Sequence, residues 1–230
     1  MTTSSDSRQQ TGGRGVDAMA ARMYTHAHLP QAQAAQLREY VLENRFAHLI
    51  TGSVEAGLHC TAVVVVPEST QAEAVALVGH LARRNPHAAA LSQTGSALLL
   101  FQGPHAYISP RWYRNPDVPT WDYVAVQVRG TIEPVDDLTE VERILKRTIE
   151  YAERGAATPW TLEQAPAELK ARLLTGIRGF RVQLQRVEGT FKLSQNKTDA
   201  ERATIVEALL ASGRDGDTAI ASLIKTGFRR

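Results

Sequence analysis

The stretch FQGPHAYISPRWY, residues 101–113, and the VPTWDYVAVQVRG that follows at 118–130 decide how this chain is read. The second half alternates. Val124, Val126 and Val128 fall on one face of an extended strand, and Ala125, Gln127 and Arg129 on the other. The first half sets Tyr107, Trp112 and Tyr113 among Pro104 and Pro110, and Trp121 and Tyr123 follow Pro116 and Pro119. Proline fixes φ and removes a backbone donor, so this part reads as a rigid, irregular segment between two strands. Such segments often wall a pocket for a flat ligand; the plainer alternative is a loop whose rings cap the core. His105, Ser109, Arg111, Arg114 and Asp122, interleaved with the rings, favour a site.

Outward from this stretch, apolar and β-branched runs predict strands at 47–51, 58–66, 97–101, 123–134, 180–187 and 190–194, with Gly189 as a turn. Gly52 to Gly57 reads as a hairpin turn, and 74–82 is ambiguous between strand and helix because of Gly79. Helical spacing appears after Pro30, from Asn85-Pro86, and over 138–154 and 165–177. Thr198 with Glu201 three residues on forms a capping box for a last helix. Six or seven strands with helices inserted predict an α+β protein, a closed antiparallel β-barrel decorated by helices. Residues 1–22 are polar and Gly-rich and are expected to be disordered. The domain is expected over 23–212, with 213–230 as a C-terminal helix or tail.

The 230 residues allow one sizeable core. Basic and acidic residues number 26 and 24, and no dense basic stripe or DNA-reading motif appears, which argues against a dedicated nucleic-acid protein. The single cysteine, Cys60, excludes an intrachain disulfide and a thiolate cluster. No apolar run approaches the roughly eighteen residues of a membrane span, so a cytoplasmic protein is expected.

The segment 101–131, GHLARRNP at 79–86, GFRVQLQRVEGTFKLSQNK at 179–197 and the opening Met23-Tyr24 resemble the PaiB-like family of FMN-binding negative transcriptional regulators. The resemblance implies an FMN-binding split barrel of the flavin-reductase and pyridoxamine-oxidase type, a homodimer with its ligand site at the subunit interface. One branch of the family resembles transcriptional regulators. Another resembles piperazate synthases, haem-dependent enzymes that form an N–N bond in closing N5-hydroxy-L-ornithine to L-piperazic acid.

The chain departs from the flavin-type pattern G-L-x-A-T-H-L-P at Gly57-Leu58-His59-Cys60-Thr61-Ala62-Val63-Val64. Ala62 and Val64 replace its His and Pro, while His59 appears on a strand; a one-gap shift would instead align His59 with the family His. A haem b needs an imidazole ligand in an apolar slot, which makes His59 the candidate axial ligand of the iron. A histidine packed in the barrel is the plain alternative. His105 and His80 are rival pocket residues, and His26, His28, His48 and His87 read as surface, cap or core residues. Haem propionates or an FMN phosphate require cationic donors. Arg83, Arg84, Arg111, Lys192 and Lys197 are the candidates, with Thr61, Ser194, Gln195 and Asn196 as polar contacts and Trp112 and Trp121 as ring walls. His105, Tyr113 and Lys192 are the candidates for the base that an N–N cyclisation requires. The expected function is therefore a haem-dependent N–N bond-forming enzyme with an amino-acid substrate, the alternative being an FMN-binding regulator that contacts DNA.

Overall fold

In the computed structural model, which describes residues 23, 34–53, 57–69, 76–114 and 117–227, six antiparallel strands close into a barrel. They are β1 (Phe46–Ser53), β2 (Gly57–Pro67), β3 (Ala76–Ala82), β4 (Ser96–Ile108), β5 (Thr120–Val135) and β6 (Ile177–Lys192). The order round the barrel is β1-β2-β3-β6-β5-β4, and β4 returns to pair with β1. Every strand pairs on both sides, β2 with β3 only over Val65–Pro67, and the alternation within each strand fills the lumen with Leu49, Val63, Leu99, Phe101, Val126 and Phe180, all buried. The expected helix opening at Pro30, the tail 1–22 and the tip of the 52–57 turn lie outside the described residues.

The helices plug and flank this barrel. Helix α1 (Ala34–Glu43) packs on β5 and β6, and α3 (Leu138–Ala152) on β2, β3 and β6. Helix α2 (Pro86–Ala90) starts where Asn85 Oδ1 accepts the His87 N–H, and α4 (Ala167–Gly176) leads into β6. Helix α5 (Asp199–Ser212) carries the capping box expected at Thr198 and Glu201. Helix α6 (Asp215–Thr226), in the segment read as an appended helix or tail, buries Ile220, Ala221 and Ile224 against the main core and packs on β4.

Two strands outrun their sequence expectation. The segment 101–108, expected to be irregular, continues β4, because a bulge between Gln102 and His105 absorbs Gly103 and Pro104 without ending the ladder. Gly189 is no turn; it pairs with Val126 inside β6. A Cβ there would meet Leu37 Cδ2 of α1 at 2.3 Å, so the glycine is the notch that seats the helix on the sheet.

One outer face has nothing packed on it among the described residues. Strand β1 packs against β2 and β4, and on its solvent side Phe46, Ile50, Leu58, Val64, Leu98 and Leu100 form neighbouring rows. Phe46 is 64% and Leu58 86% exposed.

Candidate functional site

Antiparallel closure sorts the predicted residues to two ends of the barrel. The start of β5, the end of β4 and the end of β6 meet at one end. The start of β2 and the ends of β1 and β3 meet at the other. The length of β4, at about 3.3 Å per residue, separates them.

At the first end, alternation along β5 sends Trp121 and Tyr123 to the outer face and Thr120 and Asp122 to the other. The outer side holds a depression of about 340 Å³ lined by Leu100, Gln102, His105, Trp121, Tyr123 and Ala125. Trp121 is 53% exposed; its ring lies 5.9 Å from His105, tilted, and 5.9 Å from Tyr107, edge-on. Gly103 is what lets the bulged strand pass α1, since a Cβ there would stand 2.2 Å from the Tyr40 hydroxyl. Through Leu100, which pairs with His48 of β1, the depression runs into the bare apolar face.

Behind β5 lies a second cavity of about 200 Å³ whose lining includes Tyr113, Thr120, Asp122, Lys192, Ser194 and Asn196. Asp122 is wholly buried, and Ser194 Oγ donates to its Oδ2 at 2.6 Å. Burial pushes the Asp122 carboxyl above its ordinary range, with Ser194 and Lys192 opposing. Ser194 itself sits at φ 55°, in the left-handed region that costs a non-glycine residue strain. Lys192 Nζ donates to Thr120 Oγ1 and to the Trp121 carbonyl, while Lys197 pairs with Asp117 and lies 3.7 Å from the Tyr113 ring centre. Burial, then Asp117 and Asp122, raise the Tyr113 phenol.

Three predicted residues near this end do other work. Gln195 folds back on its own strand, accepting from Leu193 N and donating to Phe191 O. Trp112 packs half-buried against the core, and Arg111 is exposed, its N–H bonded to Ser109 Oγ in a short turn.

At the opposite end, His59 is half-buried and stacks on His87 of α2, ring centres 5.2 Å apart and planes at 22°. His87 is held by both nitrogens, Nε2 to Thr51 Oγ1 and Nδ1 to Thr61 Oγ1, each at 2.9 Å. Thr61 thus fixes His87 rather than reaching toward Trp121. His80, on β3 at the same end, has a buried Nδ1 without a partner among the described residues. Arg83 is exposed and bonded to Asp136, which Arg178 also grips at 2.7 Å. Within one chain, then, the structure does not bring His59 to Trp112 or Trp121, because they stand at opposite ends of the barrel. His105, Trp121, Tyr113, Lys192, Ser194 and Asn196 do gather, in two cavities back to back.

Sequence reasoning gave no specific role to Asp122 or to His87. Asp122 lies on the inward phase of the β5 alternation, where a carboxylate is out of place; that was its signal. His87, read as surface, cap or core, follows the Asn85-Pro86 helix start that aims it at Thr51 and Thr61. Burial, and after it the charge of His59, hold His87 below its ordinary 6.5, and burial lowers His80 as well. The folded chain therefore takes up these protons less readily than the unfolded one. Their contribution to stability is complete above about pH 6.5 and is lost as pH falls below it. Urea midpoints should drop between about pH 7.5 and pH 5.5, and His87→Gln should shrink that drop; equal midpoints at both pH values in the parent protein would contradict the assignment.

The closed six-stranded antiparallel barrel and its flanking helices define a split-barrel fold. Residues 23–186 match the family described as Putative FMN-binding domain, and the chain belongs to that family, the PaiB-like one. It is 27% identical over 210 residues to the protease synthase and sporulation protein PAI 2 of Bacillus subtilis, spanning 90% of this chain and 99% of that protein. Among solved structures it resembles the flavocytochrome Anf3 from Azotobacter vinelandii (TM-score 0.54, 10% identity, 74% of this chain and 73% of the other). It also resembles the conserved hypothetical protein Rv2991 from Mycobacterium tuberculosis (TM-score 0.52, 14% identity, 76% and 94%). No helix among the described residues is long and apolar enough to cross a membrane.

Proposed function

We propose that this protein is a homodimeric FMN-binding protein of the PaiB-like kind, its flavin ring lying in the Trp121–Tyr123 depression where the bare β1 face meets a second subunit. The carrying observation is that depression: an exposed indole and a half-buried phenol face a groove continuous with uncovered apolar sheet. Its volume falls at the lower end for ligand pockets, and a second subunit would close it. Trp121 and Tyr123 would stack on the ring, Gln102 would bond its polar edge, and His105 supplies a titratable group beside it. Bound FMN supplies one- and two-electron redox chemistry; the chain's part is to hold the ring and exclude water.

The purified protein should carry flavin absorbance near roughly 450 nm, or acquire it with added FMN. Trp121→Ala should weaken FMN binding about tenfold, the equivalent of about 1.4 kcal/mol of lost stacking. Unchanged FMN affinity in Trp121→Ala, in a folded protein, would remove the ring from this depression.

A second reading has one observation in its favour: His59, whose ring makes no hydrogen bond among the described residues, is braced by a His87 locked between two threonines. A rigid imidazole with an open nitrogen fits an axial ligand of haem b. This is the piperazate-synthase reading, in which the N–O bond of a hydroxylamine breaks, an amine nitrogen attacks to form N–N, and water leaves. Its base would be Lys192, Tyr113 or His105, brought from the far end of the barrel by a partner subunit. A Soret band that disappears in His59→Ala would select this reading over the flavin one.

A further inference from the structure

We propose that the cavity behind Trp121 is an oxyanion site, in which protonated Asp122 and the ammonium of Lys192 together hold a small carboxylate or phosphate group. It lies on the face of β5 opposite the ring depression and does not depend on the flavin reading.

Two buried polar atoms lining this one cavity lack a partner among the described residues: Asp122 Oδ1 and the Tyr113 hydroxyl. Native proteins rarely leave such atoms unpaired, so two in one cavity point to something that fills it. Asp122 forms no ion pair among the described residues, and its carboxyl is bonded only by Ser194, through the hydroxyl to Oδ2 and the backbone N–H. Burial disfavours the charged form of that carboxyl, and Oδ1, the oxygen without a partner among the described residues, is where its proton would sit. Lys192 is the complementary half. Its two bonds go to neutral oxygens, Thr120 Oγ1 and the Trp121 carbonyl, so one of its three donors stays open and it makes no ion pair among the described residues.

The other charged and titratable groups around Asp122 do not supply that anion. Lys197 and Asp117 neutralise each other, and Glu201 of α5 is spent on capping Thr198. Tyr113 adds a hydroxyl donor; His105 and Tyr107 of β4 have exposed side chains on the outer face. With Asp122 protonated, the cavity offers an acid proton, a phenol and an ammonium outside any ion pair, a donor set that suits a single negative group. A ligand ammonium would instead meet Lys192 as a like charge.

The test is isothermal titration of the full chain with acetate and with inorganic phosphate from about pH 6 to pH 9. Acetate or phosphate should bind at the lower pH, with affinity falling about tenfold per unit once Asp122 ionises. Lys192→Met should weaken binding at least tenfold, whereas Asp122→Asn, which stays neutral, should keep binding within a few fold and flatten the pH profile. Loss of binding in a folded Asp122→Asn, affinity that rises with pH in the parent protein, or no binding of either anion would each overturn the proposal. The parent pH profile and Tyr113→Phe, expected to weaken binding several-fold, stand even where Asp122→Asn fails to fold. Competition between FMN and acetate, absent with riboflavin, would identify the group as the flavin phosphate; no competition would identify a free anion. A protein that binds acetate but no flavin would refute the cofactor reading alone.

Discussion

Replacing Phe180 by alanine is expected to lower the stability of the protein by about 3–5 kcal/mol. Phe180 is completely buried in β6, between Gly79 of β3 and Pro134 of β5. Its ring fits because Gly79 has no side chain: a Cβ there would stand 2.6 Å from Phe180 Cζ. Truncating the ring removes its transfer free energy and leaves a void that a closed barrel cannot collapse into, since all six strands are tied on both sides. The pair should also be coupled. Gly79→Ala alone should destabilise by overpacking, and in the Phe180→Ala background it should cost less, because the ring contact is gone and only the clash with the Val64 carbonyl at 2.7 Å remains. Urea unfolding followed by circular dichroism measures both; a loss below about 1 kcal/mol for Phe180→Ala would mean that the ring is not the keystone described.

The second large effect concerns the bare face. Ile50 and Leu98 are cross-strand partners near its centre, half-buried in the single chain. In the proposed dimer they become fully buried, and of the outward rows of β1 and β2 only His48 could pair with a carboxylate, leaving at least one of two introduced charges unpaired. Ile50→Asp with Leu98→Asp should raise the dimer dissociation constant by at least a hundredfold, about 2.7 kcal/mol, from desolvating two charges, at least one of them unpaired. The protomer fold should survive, because both side chains reach water once the subunits part. Sedimentation analysis would show a dimer becoming a monomer, and flavin binding should fall with it. A parent protein that is already monomeric at micromolar concentration, or a variant that remains dimeric, would sink the assembly and with it the closure of the Trp121 depression.

The alternation at Val124, Val126 and Val128 predicted β5 correctly because a barrel strand has one face in the core and a period of two. The Thr198–Glu201 capping box predicted the start of α5 because it is satisfied by neighbours along the chain. Pro104 and Gly189 misled for the same physical reason: their role is set by what lies across from them. A bulge accommodates the first, and the approach of α1 requires the second.

By itself, then, the sequence determined the period of each strand, the caps of its helices, the family and the aromatic-rich segment that forms the ring depression, since all of these rest on local spacing. Only the tertiary structure decided that His59 and Trp121 stand at opposite ends and that, among the described residues, Asp122 is buried with one oxygen unpaired and nothing covers the outer face of β1. Those facts depend on strand register and closure, which bring together residues far apart in the chain and separate others that a linear reading had placed in one pocket.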